Sequence, residues 1–180
     1  MALMRTARLL LRAPVEADLE RFYAIHANPR ANLFNPAGPM ASRDVAQEAF
    51  ATWLLHWERH GYGQWAVATL DAPDCVIGFG GLARRMYGSV ERVNLGYRFD
   101  PACWGAGYAS ELAAATLAAG FALLHLPAIF ALVRPAHGAS IRVLEKTGMQ
   151  LLETLDDVPA QAPSLVYVAR RSRGSAATRP

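Results

Sequence analysis

A chain of 180 residues that is 53% hydrophobic, with 18 basic against 15 acidic side chains and a net charge of +3, can bury a sizeable core, which excludes global disorder and fits one domain. Its two cysteines, Cys75 and Cys103, form no CxxC pair and no Cys/His ligand spacing, which excludes a zinc-ribbon site or a disulfide framework, and no metal is expected. Four of the basic residues fall in the last eleven, RRSRGSAATRP, and without them 14 basic residues face 15 acidic ones, so the basicity belongs to a loose tail and not to a nucleic-acid-binding face.

Taken in chain order, RLLLRA (8–13) is a short apolar run stopped by Pro14 and predicts a strand. Its three leucines are too few for a signal-peptide core, so a cytoplasmic protein with reduced thiols is expected. VEADLERFYAIHAN (15–28) places Val15, Leu19, Phe22, Tyr23 and Ile25 at helical spacing. PRANLFNPAGPM (29–40) is a Pro-, Asn- and Gly-rich loop, after which Ser42 caps a helix running to about His60. QWAVATL (64–70), CVIGFGGLAR (75–84) and RVNLGYRFD (92–100) are β-like runs joined by short turns, which reads as an antiparallel meander. A helix is expected from Tyr108 to Leu126, a strand over 128–134, a helix over 138–148 ended by Gly148, and two closing strands in MQLLETL and SLVYVAR.

The resulting order is β-α-α-β-β-β-α-β-α-β-β, an α+β fold with no internal repeat. The expected boundaries are 1–171 for the domain and 172–180 for a flexible basic tail. Leu112 to Val133 carries no charge, but Pro127 breaks it, so a buried helix followed by a buried strand is expected rather than a membrane span.

DPACWGAGYASE (100–111) sets Gly105 and Gly107 between a strand and an alanine-rich helix. A helix start offers unpaired N–H groups and a positive dipole end, and glycines let an anion approach the backbone. The alternative is a tight turn with no ligand. A Walker A loop requires Gly-Lys-Ser/Thr, and Tyr108 and Ala109 stand in its place. A dinucleotide fingerprint, GxGxxG/A, requires Gly or Ala at its third position and an acid about 20 residues on; position 110 is Ser, and no acid lies between Glu111 and Glu145. A pyrophosphate-bearing cofactor held by backbone, such as coenzyme A, fits best.

GYRFDPACWGAGYASE resembles the cofactor segment of the GNAT N-acetyltransferase superfamily, in its RimJ/RimL-like branch (the ribosomal-protein N-terminal acetyltransferase type). The match is carried by Gly96, Tyr97, Pro101, Trp104, Gly105, Gly107, Tyr108 and Ala109. A second segment, VRPAHGASIRVLEKTGM (133–149), resembles the same branch through Pro135, Ser140, Val143, Leu144, Glu145, Lys146 and Gly148. The resemblance extends from the N-terminus to about Arg171. It implies a mixed, mostly antiparallel sheet of six to seven strands with helices on both faces, and acetyl-CoA as cosubstrate. It further implies that Tyr97, Arg98 and Phe99 offer backbone to the pantetheine arm. Trp104, Gly105, Ala106, Gly107, Tyr108 and Ala109 would form the pyrophosphate loop, and a backbone N–H near Leu95 or Gly96 would polarise the thioester carbonyl.

Several positions depart from that pattern. Ala102 and Ala106 stand where the family has Gln or Arg and often a basic residue, leaving phosphate binding to backbone dipoles with Arg142 or Lys146 nearby. Asn94 stands where the branch often has Glu, and Asn takes no proton at neutral pH. Glu91 is expected to be an exposed strand-end charge. His137 replaces an Asn that holds pantetheine; it either substitutes for that hydrogen bond, titrates, or merely starts a helix. Leu144 aligns with the tyrosine acid of other family members, which leaves Ser140 to protonate the leaving thiolate or to bond its own helix backbone.

The expected activity is acetyl transfer by direct attack of a primary amine, either a protein N-terminal α-amine or a small-molecule amine, in a monomer or homodimer. The alternative is a catalytically poor acyl-CoA-binding protein. An acyl-Cys103 route finds no histidine near it in sequence.

Overall fold

Apolar runs with β-branched and aromatic residues pair into one eight-stranded sheet, and the amphipathic runs between them cover its faces. The computed structural model describes residues 3–171; the expected basic tail lies outside the described residues. The elements are β1 (Leu3–Arg5), β2 (Leu9–Arg12), α1 (Leu19–His26), α2 (Arg43–His60), β3 (Gln64–Thr69), β4 (Ala72–Tyr87), β5 (Val90–Phe99), α3 (Tyr108–Ala122), β6 (Ala128–Val133), α4 (Gly138–Lys146), β7 (Gln150–Leu155) and β8 (Ser164–Arg170). This is the mixed α+β class expected from sequence, with one more strand than the chain-order reading. The added strand is β1, three residues long and too short to show a period; it pairs Leu3–Arg5 against Leu10–Arg12.

The sheet order is β1-β2-β3-β4-β5-β6-β8-β7, with every described pairing antiparallel except β5 with β6. On one face, Phe22, Ile25, Ala46 and Phe50 of α1 and α2 pack on Ala66, Val76 and Phe79. On the other, Leu112, Ala113 and Leu117 of α3 and Leu144 of α4 pack on Leu82, Leu95, Phe99 and Ile129. Burial of such side chains contributes about 1.5–3 kcal/mol each. Gly80 permits the close approach of α3, since a Cβ there would lie 2.6 Å from Leu112 Cδ2 and from Tyr97 Cβ.

Three boundaries differ from the sequence expectation. Helix α3 ends at Ala122, not Leu126, because His125 turns the backbone to φ 52° ahead of Pro127. The first helical run opens as a 3-10 turn, Glu16–Asp18, before α1. There Asp18 accepts from the Val15 N–H and from Arg12 instead of continuing the helix. β4 and β5 are longer than expected and form a hairpin reaching Tyr87 and Val90. Among the described residues no helix is long and apolar enough to cross a membrane.

Candidate active site

Strand β5 runs beside β4 along its whole length, but it shares a single paired position with β6, Asn94 with Phe130. On its other edge β6 pairs with β8 along its whole length, Ala128 to Val133. The C-terminal half of β5 is therefore left with a free edge, which can pair with an amide-bearing ligand as a sheet edge pairs with an added strand.

Which groups face that edge follows from alternation along the strand. The Asp100 N–H donates to the Ile77 carbonyl on β4. The carbonyls of Arg98 and Gly96 lie on the same side, close to where side chains at Gly78 and Gly80 would be. Leu95, Tyr97 and Phe99 therefore turn their backbone groups toward the opening. The Phe99 carbonyl already accepts from the Trp104 indole N–H at 3.1 Å, and the Asn94–Phe130 bridge takes up the Leu95 N–H, so the Leu95 carbonyl, Tyr97 and the Phe99 N–H carry the open edge. This differs from the expected backbone trio, because Arg98 faces β4.

The glycine loop follows directly. Asp100 accepts from the Ala102 N–H at 2.9 Å and pairs with Arg21, which holds the strand exit. Gly105 and Gly107 both adopt φ 80°, a left-handed conformation that costs other residues about 1–2 kcal/mol. Helix α3 starts after Gly107 with no side-chain cap, and its first internal bond is Glu111 N–H to the Gly107 carbonyl at 3.1 Å. The N–H groups from Gly105 to Ser110 have no protein acceptor among the described residues. Together with the helix dipole they form an anion cradle.

A basic residue that sequence reading missed stands against this loop. Arg8, in the turn between β1 and β2, donates from Nε to Glu111 Oε2 at 2.7 Å and from Nη1 to the Ala106 carbonyl at 2.9 Å. Its guanidinium lies 4.9 Å from the centre of the Tyr108 ring. Burial opposes ionisation of Glu111, but hydrogen bonds from Thr6 and Arg8 outweigh it and hold its carboxyl below the usual range. Arg8 thus puts a cation beside the loop although position 106 is alanine. The expected Arg142 is exposed, with its guanidinium turned to the start of its own helix near Gly138, and Lys146 is also exposed.

Across the opening, the Tyr97 and Ser140 hydroxyls are 2.9 Å apart. Burial raises the Tyr97 phenol to about 12, and the Ser140 bond offsets this only in part. Sequence reading had singled out Ser140 and the Tyr97 backbone, but not this contact between side chains.

Asn94 is buried at the last β5–β6 pair, and its Oδ1 accepts from the Tyr87 hydroxyl at 2.6 Å. It lies at the point where β5 and β6 part. Glu91 forms an exposed ion pair with Arg84, as the strand-end reading expected. His137 precedes α4 and stacks on Phe34 of the α1–α2 loop, with ring centres 4.3 Å apart. Burial, helped by the Arg98 charge, lowers its pKa, so the imidazole is neutral at pH 7. The same loop sends Arg30 over the Trp104 ring at 5.7 Å. Cys103 is half-buried, and burial raises its thiol pKa, opposite to what an activated nucleophile requires. No cluster of metal-ligating side chains occurs among the described residues.

Comparison with known proteins gives a consistent result. The family model for the acetyltransferase (GNAT) domain matches residues 8–150. The chain is 30% identical over 151 residues to the uncharacterized N-acetyltransferase YoaA of Bacillus subtilis (strain 168), covering 82% of each chain. It superposes on the acetyltransferase from Agrobacterium tumefaciens with a TM-score of 0.79 and 27% identity, covering 95% of each chain. It also shares its fold, at a TM-score of 0.75 and 18% identity, with the spermidine N-acetyltransferase of Vibrio cholerae, solved with CoA and spermine; the match covers 93% of this chain and 98% of that one.

Proposed function

The chain belongs to the GNAT acetyltransferase family, and from that premise we propose that it acetylates an α-amine, in a protein N-terminus or a small molecule, as a RimJ/RimL-like enzyme. It is an acetyl-CoA-dependent acetyltransferase. The observation that carries the site assignment is the divergence of β5 from β6 beside the unpaired N–H groups of Gly105 to Ser110. In this reading the loop takes the pyrophosphate, with Trp104, Ala106, Tyr108 and Ala109 shaping it. Leu95 and Tyr97 pair with the pantetheine arm, and His137 lines the mouth of the opening.

The amine attacks the thioester carbonyl directly in a ternary complex. A backbone N–H of the open edge would stabilise the oxyanion. The carbon–sulfur bond breaks, and the Tyr97–Ser140 hydroxyl pair donates a hydrogen bond to the departing thiolate. A phenol near 12 does not protonate a thiolate whose conjugate acid has a pKa of about 8.5, so the pair supplies a hydrogen bond, the nitrogen gives its proton to solvent, and solvent protonates the thiolate.

The preference for an α-amine rests on the lack of a strong base. Asn94 does not titrate, Glu91 is tied to Arg84, and His137 is a weakened base. An α-amine of pKa about 7.7–8.0 is partly neutral at pH 7, whereas a lysine amine near 10.4 is not. A cytoplasmic location and a monomeric or homodimeric state complete the proposal.

The test is thermal unfolding with acetyl-CoA, CoA, NADH and ATP in parallel, followed by thiol release with an amine panel. Ligand at 100 times its dissociation constant adds about 2.7 kcal/mol of stability. Stabilisation by CoA and acetyl-CoA, with turnover of α-amines over ε-amines, supports the proposal. Stabilisation by NADH alone contradicts it, and a pH–rate limb abolished by Glu91→Ala contradicts the α-amine preference.

A further inference from the structure

We propose, resting on the acetyltransferase reading above, that Arg98 recognises a carboxylate on the acceptor, so that the substrate is an amine carrying an acidic group near its reactive nitrogen. Leu95 and Phe99 pack under α3. Alternation therefore puts the side chains of Asn94, Gly96 and Arg98 on the opposite face. Arg98 stands directly across from Phe79 on β4, and Phe79 packs with Phe22, Ile25 and Phe50 of α1 and α2. The Arg98 side chain thus issues from the free half of β5 into the face covered by α1, α2 and their connecting loop.

Two imidazoles neighbour its charge there. His26 stacks on Phe22 at 4.0 Å and is held neutral, mainly by burial, with a pKa of about 3. His137, roofed by Phe34, is likewise kept neutral. Neither offers a counter-charge.

Arg98 also differs from the other arginines. Arg8, Arg12, Arg21, Arg43, Arg84, Arg92 and Arg134 each pair with a carboxylate, and Arg5, Arg30, Arg59, Arg85, Arg142, Arg170 and Arg171, which do not, are exposed to solvent. Among the described residues, the partly buried Arg98 guanidinium has no hydrogen bond and no ion pair. Burial alone lowers its pKa, with no carboxylate raising it. The Arg98 nitrogens are not among the fully buried unpartnered atoms, so they remain open to a ligand, and a guanidinium fork fits a carboxylate with two parallel hydrogen bonds. The same charge disfavours a polycationic acceptor.

The experiment compares wild type, Arg98→Gln and Arg98→Lys on matched acceptors. Glycine, alanine, phenylalanine and glutamate are set against their α-amides, and a tripeptide with Glu after its N-terminal Ala is set against the Gln version. The first arm reads a free amino acid and the second an acidic N-terminus. Wild type is expected to prefer the acid over the amide by about 10- to 100-fold in kcat/KM in one arm. Arg98→Gln should abolish that preference, Arg98→Lys should keep part of it, and CoA stabilisation should be unchanged in both variants.

Equal use of acid and amide by wild type overturns the proposal, as does loss of CoA stabilisation in Arg98→Gln. A binding readout stands apart from turnover: in the presence of CoA, the N-acetylated acids should stabilise wild type but not Arg98→Gln, and stabilisation by the amides to the same extent overturns the assignment. Failure of thiol release with every amine, alongside such acid-specific stabilisation, counts against the transfer reading and not against Arg98.

Discussion

The Tyr97 hydroxyl on β5 lies 2.9 Å from the Ser140 hydroxyl on α4, joining the two walls of the opening where β5 and β6 part. With the phenol pushed up to about 12, this pair is a hydrogen-bond donor to sulfur and not a proton source. Tyr97→Phe and Ser140→Ala should each lower kcat about fivefold to tenfold, the value of one hydrogen bond of about 1–1.5 kcal/mol, without a new limb in the pH–rate profile. A loss of 100-fold or more with a lost alkaline limb would identify true general acid catalysis instead. Steady-state kinetics across pH distinguish the two.

Arg8 holds the glycine loop from outside through Glu111 and the Ala106 carbonyl. Its side chain is half exposed, and exposed ion pairs contribute only about 0–1 kcal/mol. Arg8→Ala should therefore leave the melting temperature within a few degrees of wild type. The Kd for CoA, measured by calorimetry, should rise severalfold, and more so at low salt, where a cation near pyrophosphate is least screened. An unchanged Kd at low salt would show that backbone dipoles alone carry phosphate binding.

His26 makes the fold acid-sensitive. Its folded pKa is lowered to about 3, chiefly by burial, from an unfolded value of 6.5. The unfolded state therefore binds the proton first as pH falls. Stability is fully present above pH 6.5 and declines toward pH 3, at about 1.4 kcal/mol per pH unit where only the unfolded histidine is charged. His26→Gln should flatten urea-unfolding stability over that window. A wild-type curve equally steep in the variant would assign the acid sensitivity elsewhere.

Much of this architecture is legible along the chain because it is written in local chemistry. Ser42 accepts from the Val45 N–H at 3.3 Å, as its cap assignment suggested, and α2 then closes at Gly61 with φ 68°. Gly105 and Gly107, placed by sequence between a strand and a helix, both take the left-handed conformation. What sequence reading missed depends on chain closure. Arg8 meets Glu111 across 103 positions, and Tyr97 meets Ser140 across 43. The side-chain role of Arg98 was hidden for the same reason. Only the strand register shows that its backbone turns to β4 while its guanidinium emerges unpaired on the α1–α2 face. The short β1 and the early stop of α3 were lost because three residues show no period and one positive φ at His125 leaves no pattern.

The central claim is that acetyl-CoA occupies the parting of β5 from β6 and lays its pyrophosphate on the N–H groups of Gly105 to Ser110. Amide hydrogen–deuterium exchange with and without saturating CoA tests it most directly. The account predicts slowed exchange in Leu95–Tyr97 and Gly105–Ser110, with little change along β1 and β7. Tight CoA binding that leaves both segments unprotected would contradict it.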